Sequence, residues 1–185
     1  MSYSPLVAEA FAFAADKHRT QRRKSSGVPY LTHLMAVAAS VGEHHGSEAQ
    51  VIAALLHDAI EDQGVTREEI AARFGAEAAD IVWACTDADI RPKPPWRARK
   101  ERHIAHVRTA DPRVKLVVAC DKLHNMRCLA RDHRAMGAAV WQSFSAPRGD
   151  TLWYYRAMTE ALAEGWDHAV LDELRETCAV LEALP

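Results

Sequence analysis

The chain has 185 residues, of which 49% are hydrophobic and 26% are charged, proportions typical of one globular domain with its own core. Lys and Arg total 23 and Asp and Glu total 25, a net charge of −2, which argues against a nucleic-acid partner. No apolar run approaches the length of a membrane span, no signal peptide is visible, and the four cysteines lack paired spacing. We therefore expect a cytoplasmic protein with reduced cysteines and no membrane partner.

Helix signals follow one another along the chain. Ser4-Pro5 predicts the start of the first helix, because Ser caps helices and Pro favours their first position. Apolar spacing and caps predict further helices over 30–44, 48–62, 66–75, 77–88, 96–107, 111–131, 150–164 and 167–184. Three prolines exclude regular structure near 89–95. No segment shows the alternation of apolar and polar residues that is typical of a β-strand. The predicted fold is therefore all-α, as one domain over 1–185.

Four titratable residues interrupt an otherwise apolar helix in the segment 55–62, which reads LLHDAIED. His57 and Glu61 are four residues apart, as are Asp58 and Asp62, so helical spacing places all four on one edge. Three carboxylates beside one imidazole carry net negative charge, which is costly in a semi-buried place unless a cation compensates it. The segment therefore indicates a divalent metal, with a solvated acidic helix end as the alternative.

Two residues elsewhere can complete such a site. His33 lies near the start of an apolar helix, and Asp121 directly follows the apolar run 117–120. By itself, a histidine such as His33 is more often a packed core residue, and an aspartate such as Asp121 is more often one partner of an ion pair. Together with His57 and Asp58 they supply two imidazoles and two carboxylates, a set that suits manganese, iron or zinc and leaves positions for water and substrate.

Basic residues concentrate in two short stretches. Residues 17–42 contain five Lys or Arg and no acid, and residues 91–102 contain six against one Glu. Such clusters can bind phosphate oxygens through charge-assisted hydrogen bonds, although either can equally be a solvated face. From the second stretch we expect Arg97 and Lys100 to contact an anionic substrate.

The order and spacing of these residues resemble the HD superfamily of metal-dependent phosphohydrolases. The similarity is closest to the hydrolase domain of RelA/SpoT proteins and to stand-alone small alarmone hydrolases of the metazoan SpoT-homologue type. It covers residues 5–135, with residues 136–185 expected to complete the fold as C-terminal helices. The segments that carry it are 18–24, 29–33, 54–62, 74–75, 86–87 and 121–125.

This resemblance implies an HD-domain helical bundle that removes pyrophosphate from the ribose 3′ position of guanosine tetra- or pentaphosphate. It implies manganese as the usual ion, while iron, zinc and cobalt stay open. The implied metal ligands are His33, His57, Asp58 and Asp121. Glu61 and Asp62 would orient and deprotonate the attacking water, and Arg23, Lys24 and Asn125 would contact the nucleotide.

Two segments depart from the alarmone hydrolases. The basic, proline-rich stretch 91–100 resembles uncharacterised bacterial HD proteins more closely, and the aromatic residues of the C-terminal third are expected to pack in the core or in a lid. Two other functions therefore stay open, an HD phosphohydrolase acting on another small phosphorylated compound and a catalytically silent nucleotide sensor. In each case the partner is a small anionic nucleotide or similar compound, and the sequence is compatible with a homo-oligomer.

Overall fold

The computed structural model describes residues 2–87, 92 and 94–185 of the chain. Within these residues all regular elements are helices, apart from one isolated bridge between Arg22 and Pro29. The all-α prediction is confirmed. The α-helices are α1 (Pro5–Lys17), α2 (Leu31–Glu43), α3 (Glu48–Leu56), α4 (Ala59–Gln63), α5 (Arg67–Phe74), α6 (Ala76–Cys85), α7 (Trp96–Arg108), α8 (Pro112–Met136), α9 (Arg148–Ala163) and α10 (Val170–Glu182). A 3₁₀ helix, Gly137–Ser143, joins α8 to the loop before α9.

Helix α3 lies at the centre of the N-terminal helices. Seven of its nine residues are buried, because it is apolar all round and packs against α1, α2, α6 and α8. Each fully buried Leu or Ile, such as Leu56 or Ile52, stabilises the fold by about 1.5–3 kcal/mol relative to an exposed one. The long helix α8 packs on α2, α3 and α6 and also on α9 and α10. It therefore ties the C-terminal helices to the N-terminal ones.

The predicted continuous helix over 48–62 is wrong. Helix α3 ends at Leu56, and α4 begins at Ala59 after a turn in which Asp58 has φ −100° and ψ 0°. Consecutive side chains on a regular helix point about 100° apart, whereas here Nε2 of His57 lies 3.0 Å from Oδ2 of Asp58. The break brings these neighbouring side chains together, and it places Glu61 on a separate short helix.

Several helix ends also differ from the predicted bounds. Helix α8 continues five residues beyond 131, and two polar residues of this extension, Asp132 and His133, are buried. Helix α9 begins at Arg148, so that Asp150 lies in its first turn and does not cap it. Ser4 accepts a hydrogen bond from the Leu6 amide at 3.3 Å, as a cap should.

None of the helices that the structure describes combines the length and apolarity needed to cross a membrane.

Candidate metal centre and active-site cavity

Two imidazoles and two carboxylates converge where α2, the α3–α4 turn and α8 meet. Nε2 of His33 lies 3.9 Å from Oδ2 of Asp58 and 3.2 Å from Oδ1 of Asp121. Nε2 of His57 lies 3.0 Å and 3.7 Å from the same two oxygens. Ligand atoms of His33, His57 and Asp58 all lie within 4.8 Å of one another. The structure thus brings together the four residues that the sequence analysis selected as one set.

The chemistry of this set fits a divalent cation. Nε2 of His33 and Nε2 of His57 are buried and have no hydrogen-bond partner among the residues that the structure describes. A buried polar atom without a partner costs about 1–3 kcal/mol. A cation shared by both nitrogens and by the carboxylates of Asp58 and Asp121 would remove that cost and neutralise the two acids. Mixed nitrogen and oxygen ligands of this kind suit manganese, iron or zinc.

The carboxylates and imidazoles of this set shift one another's pKa. Burial opposes a charged ring at His57, yet the Asp58 and Asp121 carboxylates hold its pKa well above the usual value. Burial likewise opposes ionised carboxylates, but His57 lowers the pKa of Asp58, and Lys122 lowers that of Asp121. Burial lowers the pKa of His33, which is therefore neutral. Without a cation, a protonated His57 therefore faces the two carboxylates as an ion pair, although its Nε2 has no well-directed hydrogen bond to either of them.

Hydrogen bonds with residues outside the set hold the side chains of His57 and Asp58 in place. Nδ1 of His57 lies 2.8 Å from the carbonyl oxygen of Ala54, so the ring donates its N–H there and presents Nε2 to the carboxylates. The hydroxyl of Tyr30 donates to Oδ2 of Asp58 at 2.5 Å. Outer contacts of this kind orient metal ligands and tune their basicity.

Asp121 is held by its own helix. Lys122 Nζ donates to its Oδ2 at 2.6 Å, and Asn125 Nδ2 donates to its Oδ1 at 2.5 Å. The side-chain oxygen of Asn125 in turn accepts from the Arg23 guanidinium at 2.7 Å. Arg23 also lies over the ring of Tyr30, 5.5 Å from its centroid. Arg23 and Asn125, both expected to contact a nucleotide, therefore meet one another beside the centre.

Glu61 and Asp62 lie on α4, at the edge of the centre. The Gln21 side-chain amide donates to Oδ2 of Asp62 at 2.8 Å. Glu61 accepts from the backbone amide of Asp87 at 3.3 Å and lies 3.7 Å from the Arg99 guanidinium. Both carboxylates are thus held in place while they face the same space as the metal centre.

That space is a cavity of about 560 Å³. Lys24 lines it, together with Arg23 and Asn125. Residues of α7 and α9 also line it, and so does Asp87, which binds both Arg99 and Lys100. The residues from α7 and α9 are Trp96, Arg99, Lys100, His103, Tyr154 and Tyr155. A ligand in the cavity would therefore meet basic side chains from two segments of the chain, together with the carboxylates of the metal centre and of α4.

The expected contact by Arg97 is not supported by its position. Its guanidinium lies over the ring of Trp153, 3.3 Å from the centroid, and pairs with Glu101 at 2.8 Å. Its side chain is 48% exposed and lies on the solvent side of α7. Arg99, which the sequence analysis did not select, occupies the cavity wall instead.

A helical-face analysis of α7 would have found Arg99. Residues 96, 99, 100 and 103 are spaced i, i+3, i+4 and i+7, which places them on one face, and all four line the cavity. Position 97 lies on another face. Arg91 and Lys93 of the same basic stretch lie outside the described residues.

Some C-terminal aromatic residues also reach the cavity. Tyr154 and Tyr155 are buried and line it, and the ring of Tyr154 packs on Trp96 with centroids 6.1 Å apart. Lys100 Nζ lies 4.7 Å from the centroid of Tyr154. We expected these aromatic residues to pack in the core or in a lid, and this expectation did not include the contact of Tyr154 and Tyr155 with the cavity.

These features define an all-helical protein of the HD class, and the chain belongs to the HD domain family, whose model matches residues 10–151. The expected relationship to alarmone hydrolases is confirmed by individual relatives. Over 133 residues the chain is 40% identical to the guanosine-3′,5′-bis(diphosphate) 3′-pyrophosphohydrolase MESH1 of Xenopus tropicalis, which covers 70% of this chain and 73% of that protein.

Two further comparisons agree. The chain is 41% identical over 127 residues to the GTP pyrophosphokinase rsh of Brucella melitensis, but this match spans 67% of the chain and only 17% of that longer protein. A solved structure described as a metazoan ortholog of SpoT that hydrolyzes ppGpp superposes with a TM-score of 0.81. It is 27% identical, and the match covers 96% of both chains. The HD helical fold is thereby confirmed over nearly the whole chain.

Proposed function

We propose that this protein is a metal-dependent phosphohydrolase that removes the 3′-pyrophosphate from guanosine tetra- or pentaphosphate. The observation that carries the proposal is the pair of buried imidazole nitrogens of His33 and His57, which make no hydrogen bond and lie close to two carboxylates in a cavity lined by basic and acidic side chains. The activity in the name of the 40% identical MESH1 relative supports the choice of substrate.

We propose that His33, His57, Asp58 and Asp121 hold a divalent cation. Manganese is our first choice, with iron, zinc and cobalt as alternatives that metal analysis of the purified protein would separate. When bound, such a cation lowers the pKa of a water ligand towards neutrality and polarises a phosphoryl oxygen.

Side chains of α4 would accept the proton of the attacking water. A carboxylate within reach of the attacking water takes its proton while the water oxygen bonds to phosphorus and the bond from phosphorus to the ribose 3′ oxygen breaks. That oxygen leaves with the electron pair and takes up a proton from solvent, which gives the 3′-hydroxyl. Asp62 is oriented for this task by Gln21, and Glu61 by the Asp87 amide. The general-base role therefore falls to Glu61 or Asp62.

Basic side chains from two segments of the chain would hold the substrate. Arg23 and Lys24 come from the segment before α2, Arg99 and Lys100 come from α7, and all four line the cavity. Guanidinium and ammonium groups stabilise phosphate oxygens through charge-assisted hydrogen bonds. Two such groups of basic residues suit a substrate with phosphate groups at two separate positions, such as guanosine tetraphosphate.

A substrate panel with added manganese tests the proposed function. We expect guanosine tetraphosphate to yield pyrophosphate and the corresponding 5′-diphosphate. Orthophosphate release from simple monoesters, with guanosine tetraphosphate left intact, would indicate another HD phosphohydrolase. Saturable nucleotide binding by metal-loaded protein without any turnover would indicate a silent sensor.

Metal binding is expected to release a proton from the centre. Below its raised pKa, His57 carries a proton on the ring that must leave before Nε2 can bind a metal. The apparent affinity for Mn²⁺ should therefore rise with pH, by up to about tenfold per pH unit, and level off above that pKa. Titration calorimetry in buffers of different ionisation enthalpy measures the protons released per metal. A pH-independent affinity with no proton release would contradict the ion-pair description of the metal-free centre.

A further inference from the structure

The second nitrogen of His33 faces another histidine. Its Nδ1 lies 2.7 Å from Nδ1 of His124, and the two ring centroids are 4.9 Å apart. His33 belongs to α2 and His124 to α8, so this contact joins two helices. The corresponding Nδ1 of His57 has the carbonyl oxygen of Ala54 as its partner. Carboxylates, carbonyls and water are the usual partners of the second ring nitrogen of a metal-binding histidine. A second histidine in this position, as at His33, is therefore less common.

A nitrogen–nitrogen contact of this length restricts the position of the protons. Only one N–H fits between two ring nitrogens that are 2.7 Å apart, so one ring donates and the other accepts. If His33 donates from Nδ1, its Nε2 keeps a free lone pair directed at Asp58 and Asp121. If His124 donates instead, His33 carries its proton on Nε2, and that nitrogen cannot bind a cation.

The surroundings of His124 accommodate the first arrangement. When its Nδ1 accepts, a neutral His124 carries its own proton on Nε2. That nitrogen lies 3.5 Å from Sγ of the buried Cys128, one turn further along α8. Thiol sulfur is a weak acceptor, so this proton has a partner in the interior of the protein.

We propose that His124 is a positioning residue that accepts the Nδ1–H of His33 and thereby holds His33 in the tautomer able to bind the metal. The inference rests on the proposed function, because it takes His33 as a metal ligand. Helix α8 would then contribute two residues to the centre. It carries the proposed ligand Asp121 and, one turn later, His124, which orients His33.

Two substitutions at one position separate the hydrogen bond from the packing. His124→Phe keeps a ring of similar size but removes the acceptor, whereas His124→Asn places an amide oxygen near the position of Nδ1. We expect the Phe variant to bind Mn²⁺ about 10–100-fold more weakly than the wild type. The Asn variant should recover most of that loss. Affinity is measured by competition with a chelator, and the melting temperature of metal-free protein is measured alongside.

Cys178→Ala is the matched control, because it shortens a buried side chain on α10 that does not line the cavity. It should retain wild-type metal affinity. The inference fails if His124→Phe binds the metal as the wild type does, if His124→Asn is as weak as His124→Phe, or if Cys178→Ala loses as much affinity as either. A wild-type protein that binds no divalent metal would instead overturn the proposed function.

Discussion

Replacing Asp58 by Ala is expected to abolish both metal binding and turnover. Asp58 Oδ2 lies near the unpartnered nitrogens of both His57 and His33. Its loss removes one of four ligands and leaves a single carboxylate, Asp121, to balance the cation. The measurements are metal content after gel filtration, by elemental analysis, and pyrophosphate release from guanosine tetraphosphate with added Mn²⁺.

Two further variants show that the effect belongs to the centre and not to misfolding. Asp58→Asn keeps the size of the side chain and should lose metal in the same way. Asp87→Asn changes a carboxylate in the same cavity that binds Arg99 and Lys100, and it should keep the metal. Turnover by metal-free Asp58→Ala protein would overturn the proposed mechanism.

Replacing Glu61 by Gln is expected to leave the metal bound and to lower the rate. A positioned general base contributes about 10²–10⁴-fold to catalysis, and the amide of Gln cannot accept the proton of the attacking water. The loss should appear in kcat at saturating substrate, with unchanged metal content. Asp62→Asn, measured in the same assay, decides which of the two carboxylates on α4 acts as the base.

Glu68→Gln is the matched control for this change. Glu68 is exposed on α5, the next helix along the chain, and it should retain full activity. A Glu61→Gln protein as active as this control would remove Glu61 from the general-base role and leave the assignment to Asp62.

Much of the fold was predictable because its signals are local. Caps and apolar spacing depend on residues within a few positions of one another, and they predicted an all-α chain with most helix starts within three residues. The capping box of Ser47 and Gln50, for example, is present with both of its hydrogen bonds. The break at His57 was missed, because nothing local disfavours a helix there. In the turn, the side chains of His57 and Asp58 meet at the same site.

The candidate site was predictable in part for a different reason. A histidine or an acid inside an apolar run is unusual in itself, and His33, His57 and Asp121 all stand out in this way. Arg97 was predicted to contact the substrate because it lies in a cluster of basic residues. Such a cluster does not indicate which face of the helix each residue occupies. The rotation of Arg97 on α7 turns it towards Trp153, while Arg99 faces the cavity.

The amino-acid sequence by itself determined the helical class and the residues able to form a metal centre, because periodicity and chemical type can be read from the chain directly. Only the tertiary structure decided which of these side chains meet. The hydrogen bond from Tyr30 to Asp58 and the contact between His33 and His124 join elements far apart in sequence, and they depend on helix packing and on the break after α3. Distances between side chains on different helices arise from packing in three dimensions, and no local pattern encodes them.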